Sequence, residues 1–87
     1  MVDPWDVAIL RGGTHLAVTD RGARDVKVFR VDSGEFVSSF GRPHLGSPWG
    51  IAVNSEGHII VTDTAHKKVL CFDLYYSQFS YNKLSQV

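Results

Sequence analysis

Short runs of apolar residues interleaved with polar ones dominate the chain. Val26-Lys27-Val28-Phe29-Arg30-Val31 alternates over most of its length, and Val69-Leu70-Cys71-Phe72 is a second run of that kind. His15-Leu16-Ala17-Val18-Thr19 and His58-Ile59-Ile60-Val61-Thr62 are short and β-rich. Each run spans about five residues between Gly, Pro, Asp, Asn or Ser, the residues that end strands and make turns. A period of two sends alternate side chains to opposite faces of a strand, and no stretch sustains the 3.6-residue apolar period of a helix. The pattern predicts strands over residues 7–10, 15–19, 26–31 and 36–40, then 51–53, 58–62, 69–74 and 78–81.

The two sets of four are copies. Pro4-Trp5-Asp6-Val7-Ala8 returns as Pro48-Trp49-Gly50-Ile51-Ala52, forty-four positions later. Val18-Thr19-Asp20 returns as Val61-Thr62-Asp63 after forty-three, so the first copy holds one extra residue near Gly12-Gly13. The register then stays constant, with Val26 on Val69, Phe29 on Phe72 and Phe36 on Phe79. A period of about 40–50 residues built from four short antiparallel strands is that of a β-propeller blade.

Pro48-Trp49-Gly50-Ile51-Ala52-Val53, Gly57-His58-Ile59-Ile60-Val61-Thr62-Asp63 and Lys68-Val69-Leu70-Cys71-Phe72-Asp73 together resemble an NHL repeat. The first copy resembles one through Val18-Thr19-Asp20, Val26-Lys27-Val28-Phe29 and Gly34-Glu35-Phe36-Val37-Ser38-Ser39-Phe40-Gly41. The resemblance implies an all-β chain of two four-stranded antiparallel blades, residues 4–43 and 48–83, within a larger six-bladed propeller. Tyr75-Tyr76-Ser77-Gln78 replaces the usual Asp-Gly type of turn, and Lys83 stands where the first copy has Phe40. The last strand of the second blade is therefore expected to be degenerate or truncated. A closed propeller takes about four to eight blades, so the chain is expected to be a piece of a longer protein, marginal or self-associating alone.

Composition adds exclusions. In 87 residues the apolar fraction is 44% and nine basic residues balance nine acidic ones, which disfavours both disorder and bulk charge-driven binding of DNA. No run is long enough to span a membrane as a helix, and the first ten residues lack the basic start of a signal peptide. Cys71 is the one cysteine, which excludes an internal disulfide framework and is compatible with a reducing, cytoplasmic location.

Most repeated residues have a structural reading. Trp5 and Trp49 are expected to wedge between sheets, Asp20 and Asp63 to accept turn amides, and Gly34 and Gly57 to supply positive φ. Trp5, Val7, Ile9, Val18, Val26, Val28 and Phe29 are expected to be buried in the first blade. Trp49, Ile51, Val53, Ile60, Val61, Val69, Cys71 and Phe72 are their counterparts in the second. His15, His44, His58 and His66 have no metal-ligand spacing, Gly12-Gly13 has no helix after it to cradle a phosphate, and no serine sits in a G-x-S-x-G elbow. No catalytic, cofactor-binding or metal residue is assigned, no cofactor is implied, and the chain is read as non-enzymatic.

Charge is distributed unevenly over the turns. In a meander alternate turns fall on opposite rims. One rim collects Arg21, Arg24, Arg42, His66, Lys67 and Lys68, with His44 beside them, and the other collects Asp32, Glu35, Glu56 and Asp73 against Arg11 and Arg30. The first six are the candidate partner-binding residues. Lacking exposed aromatics, such a rim is expected to suit phosphates or acidic peptides better than stacked bases. By resemblance to NHL propellers of tripartite-motif ubiquitin ligases, the expected role is a scaffold for a protein partner or ubiquitination substrate. The RING that carries ligase chemistry is not in this sequence. RNA binding through the basic rim is the alternative, and a secreted propeller of lyase or receptor type is a further one.

Overall fold

The structure, a computed structural model, describes residues 1–73 and 75–83, the last five by their backbone. Eight strands follow one another: β1 (Pro4–Ile9), β2 (His15–Asp20), β3 (Asp25–Arg30), β4 (Phe36–Phe40), β5 (Pro48–Val53), β6 (Ile59–Asp63), β7 (Lys68–Phe72) and β8 (Gln78–Lys83). They form two four-stranded antiparallel sheets in the orders β1-β2-β3-β4 and β5-β6-β7-β8. No helix occurs among the described residues. Leu74, expected to extend a strand, lies outside them.

The copies share irregularities as well as strands. Pairing shifts between Pro4 and Val7 and again between Pro48 and Ile51, at proline-led starts where no amide is available to the ladder. It shifts once more after Val28 and after Cys71. The extra residue of the first copy is absorbed in one turn. The Leu10 amide reaches the His15 carbonyl, whereas the Asn54 amide closes on His58 with one residue fewer.

The fourth strand is where sequence register misleads. The turn after β3 closes from Arg30 to Glu35, with Gly34 at φ 74°. Its counterpart closes from Asp73 to Ser77, one residue shorter, with Tyr76 at φ 65°. Gln78, not Phe79, consequently pairs with Phe72 as Phe36 does with Phe29, and Asn82, not Lys83, takes the Phe40 position opposite Val69. β8 nevertheless pairs with β7 from Lys68 to Phe72.

The core lies between the sheets. One face of the first sheet contributes Ala17, Val26, Val28 and Phe40, and the facing side of the second contributes Ile51, Ile59, Val61, Leu70 and Phe72. β5 lies against β1 and β2, and Phe40 meets the Phe72 ring edge-on at 5.0 Å and stacks on Tyr76 at 4.7 Å. Paired residues of neighbouring strands share a face, so each sheet has a front and a back. The front of the first sheet carries Val7, Ile9, Leu16, Val18 and Phe29. Its back is the face seated on the second sheet.

This arrangement corrects part of the expected core. Val26, Val28, Ile51, Val61 and Phe72 are buried, but Val7 and Ile9 are each 55% exposed and Trp5 is 47% exposed. Val18 and Phe29 are half-buried. Val7, Ile9, Val18 and Phe29 hold β1, β2 and β3 positions that face away from the second sheet, whereas Trp5, before the shift in pairing, packs on Trp49. On the back of the second sheet Ile60, Val69 and Cys71 are likewise only half-buried. Trp49 and Val53 are half-buried too.

Candidate functional site

The rim that begins β1 and β5 is organised by two buried carboxylates. Asp20 ends β2 and accepts the amides of Val2 and Asp3 at 2.9 Å and of Ala23 at 3.2 Å. Asp63 ends β6 and accepts the amides of Gly46, Ser47 and Ala65 at 2.9–3.1 Å. Each thus ties the segment entering its blade to the turn leaving the second strand, a longer reach than the Asx-turn expected from sequence. Burial by itself would push both carboxyls up; the amide hydrogen bonds outweigh it and hold both below the usual carboxylate range. Lys27 at 3.2 Å adds to this at Asp20, and the His66 ring at 2.8 Å does so at Asp63.

Above these anchors lies an aromatic cluster. The Trp5 and Trp49 rings pack at 4.2 Å with a 35° tilt, so the wedge between sheets is one tryptophan on the other. The Arg21 guanidinium lies 4.2 Å from the Trp5 ring centre and 4.5 Å from that of Trp49, and is paired with Asp3 at 3.1 Å. A cation over two indole faces is attracted by the ring quadrupoles. The basic rim therefore does carry an exposed aromatic, contrary to expectation. Sequence spacing could not reveal it, because Trp5 and Trp49 meet only once the sheets stack.

The six candidate cations divide into two groups. Arg21 is half-buried and committed to Asp3 and the indoles. His66, half exposed, is bonded to Asp63, and Lys68, half-buried, begins β7. Arg24, Arg42 and Lys67 are exposed and form no ion pair among the described residues. Arg24 and Lys67 hold equivalent turn positions at φ 61° and 52°, a left-handed conformation that costs a non-glycine residue about 1–2 kcal/mol. The turns bearing them meet the connection between blades: the Thr64 amide donates to the Ser47 carbonyl, and Arg21 reaches Trp49.

On the opposite rim the cations are neutralised or spanning. Arg30 grips Asp32 through two nitrogens at 3.0–3.1 Å, and Arg11 donates to the Glu56 carbonyl across the blades at 3.1 Å. A pocket there is lined by Leu10, Arg11, His15, Gly57, Ile59 and Tyr76. Among the described residues no three His, Cys, Asp or Glu side chains gather as metal ligands, and no helix is long and apolar enough to cross a membrane.

Residues 45–72, which hold β5 to β7, match the model of the NHL repeat. These are NHL-repeat blades. Over 71 residues the chain is 32% identical to Protein brain tumor of Drosophila melanogaster, a match covering 80% of the chain and 7% of that protein. Kuenenia stuttgartiensis hydrazine synthase contains a similar structure, with a TM-score of 0.81 and 14% identity over 93% of the chain and 23% of its own. At that identity the likeness concerns fold alone. The NHL blade pair is a β-propeller scaffold, and the chain spans a small part of the length of either relative.

Proposed function

We propose that the chain is a non-enzymatic interaction module whose basic rim receives an acidic surface of a protein partner. The observation that carries the reading is the contrast between rims. Arg24, Arg42 and Lys67 are exposed and form no ion pair among the described residues, whereas Arg30 is held by a carboxylate and Arg11 by a carbonyl. Cations left in water and aligned along one edge raise association rates and make them sensitive to salt. Keeping basic side chains at two left-handed turn positions, where glycine costs less, also supports a use for them. Recruitment of substrates to a ubiquitin ligase of the tripartite-motif type, in a cytoplasmic setting, is the context we propose.

The test reverses Arg24, Arg42 and Lys67 to glutamate and leaves Arg21 intact, because Arg21 braces the indoles. Partners recovered from cells by the wild-type and reversed chains are compared after equal thermal stability is verified. Loss of the salt-sensitive partners supports the reading, and identical partner sets sink it. RNA is the second reading, favoured by the exposed Trp5 ring beside Arg21, since a ring and a guanidinium together offer a stacking platform for bases. Mixed-sequence single-stranded RNA bound by wild type and released by Trp5→Ala would select it.

A further inference from the structure

Each blade is a template for the other, so a residue that breaks the repeat against the needs of its own turn stands out. The rim opposite Arg24 and Lys67 carries such residues in two turns. In the first hairpin the Gly13 amide returns to the Leu10 carbonyl as the Gly57 amide returns to Asn54, which equates Leu10 with Asn54 and Arg11 with Ser55. The Asn54 side chain closes its turn by accepting the Glu56 and His58 amides at 2.9–3.0 Å, and leucine offers no such acceptor. In the last hairpin Tyr76 holds the left-handed place of Gly34, at φ 65° against 74°. Local turn chemistry favours neither Leu10 nor Tyr76.

These residues meet at one place. Leu10, Arg11 and Tyr76, with His15, Gly57 and Ile59, line a cavity of about 100 Å³ at the rim end of the joint between the sheets. His15 and Leu10 come from the back of the first sheet and Ile59 from the front of the second, so this joint alone makes the cavity and the outer sheet faces take no part. Leu10 and Ile59 are buried and form an apolar floor, and Tyr76, its ring stacked on Phe40 at 4.7 Å, forms a wall. Arg11 is exposed, spends Nη1 on the Glu56 carbonyl at 3.1 Å and forms no ion pair among the described residues. His15 Nδ1 lies 2.9 Å from the Thr14 hydroxyl; when that hydroxyl donates, the ring proton is on Nε2 and serves an acceptor. No carboxylate lines the cavity among the described residues. Asp73 accepts the Tyr75 and Ser77 amides, Asp32 holds Arg30, and the Glu56 carboxylate lies 3.9 Å from His58.

We propose that this cavity binds a carboxylate carried on a short aliphatic group, with the alkyl part against Leu10, Ile59 and Tyr76 and the carboxylate held by Arg11 and His15. Size decides the class of ligand. One water needs about 10–15 Å³ of such space and a drug-sized ligand about 300–1,000 Å³, so this cavity takes a few heavy atoms, as in one branched side chain. A guanidinium and an imidazole beside an apolar floor favour an anion with an apolar body over a fully hydrated one such as inorganic phosphate. A free branched-chain acid and the C-terminal leucine of a peptide both present this chemistry. The proposal does not rest on the basic rim, which lies at the other ends of the strands.

The test titrates the isotope-labelled full chain, followed by amide NMR, with isovalerate, with isovaleramide, and with an acetylated peptide ending in leucine as its free acid and as its amide. Both acids should give saturable shifts at the Leu10, Arg11 and Gly57 amides, with a dissociation constant roughly in the millimolar range for so small a ligand, and neither amide should bind. Tighter binding of the peptide acid assigns the site to a chain terminus, and tighter binding of isovalerate assigns it to a free acid. Arg11→Ser and Tyr76→Gly install the residues that the other blade holds at those places, so the sheets persist, which an unchanged or raised thermal midpoint verifies. Each should weaken binding by about tenfold or more. No saturable shift with either acid, amides that bind as well as the acids, or unchanged affinity in either variant overturns the proposal.

Discussion

β1 and β5 begin with the same Pro-Trp pair and carry the same alternation, yet only β5 is covered. Val7 and Ile9 are 55% exposed, while Ile51 is buried and Val53 half-buried. The difference lies in what stands in front of each strand. β5 faces the back of the first sheet, and among the described residues nothing lies in front of β1. A blade's alternating pattern therefore prescribes an apolar front without burying it; burial is a property of the stack.

The largest expected effect breaks the covered member of an equivalent pair. Phe72→Ala should cost about 3–5 kcal/mol in urea unfolding of the monomeric chain, because Phe72 is fully buried and meets Phe40 edge-on. Phe29→Ala, at the equivalent open position, should cost about 1–2 kcal/mol. Equal losses would mean that both fronts are covered.

A second effect concerns the anchors. Asp63→Ala should cost at least about 2 kcal/mol by leaving the Gly46, Ser47 and Ala65 amides without their acceptor. Because the Asp20 and Asp63 carboxyls are held below the ordinary range, their contribution is complete above the unfolded-chain value of about 3.9. It is lost as pH falls from there toward their folded values. Urea midpoints measured from pH 5 to pH 2 should fall, and Asp63→Asn should flatten that fall.

Next comes the hydroxyl pair. Thr19→Val should cost about 1–2 kcal/mol, since Thr19 bonds both its own blade and the next one. Thr62→Val should cost less in the monomer, where Thr62 serves its own blade. The smallest effect is a gain. Lys67→Gly should stabilise the chain by about 0.5–1 kcal/mol, read as a raised thermal midpoint, by removing a left-handed lysine. Arg24→Gly should match it if the two turns are as alike as their φ values.

Much of the fold was legible because repetition multiplies weak local signals. Short strands, the extra residue at the first hairpin and the positive φ of Gly34 and Gly57 all follow from residue types and spacing. The fourth strand of the second blade was misregistered, because a turn one residue shorter is invisible when Tyr76 adopts the left-handed conformation usually left to glycine. The basic rim was legible as a cluster of turn charges. Its division into committed and exposed cations was not, because Asp3 and Trp49, which engage Arg21, lie 18 and 28 positions away in the chain.

The sequence by itself determined that this protein is built of NHL-type blades, since alternation, turn residues and a locked repeat are local properties that each segment carries alone. Tertiary structure decided which faces are covered, which cation braces the indoles and which hydroxyl crosses between sheets. Those depend on groups far apart in sequence meeting across a joint whose chemistry no single strand contains.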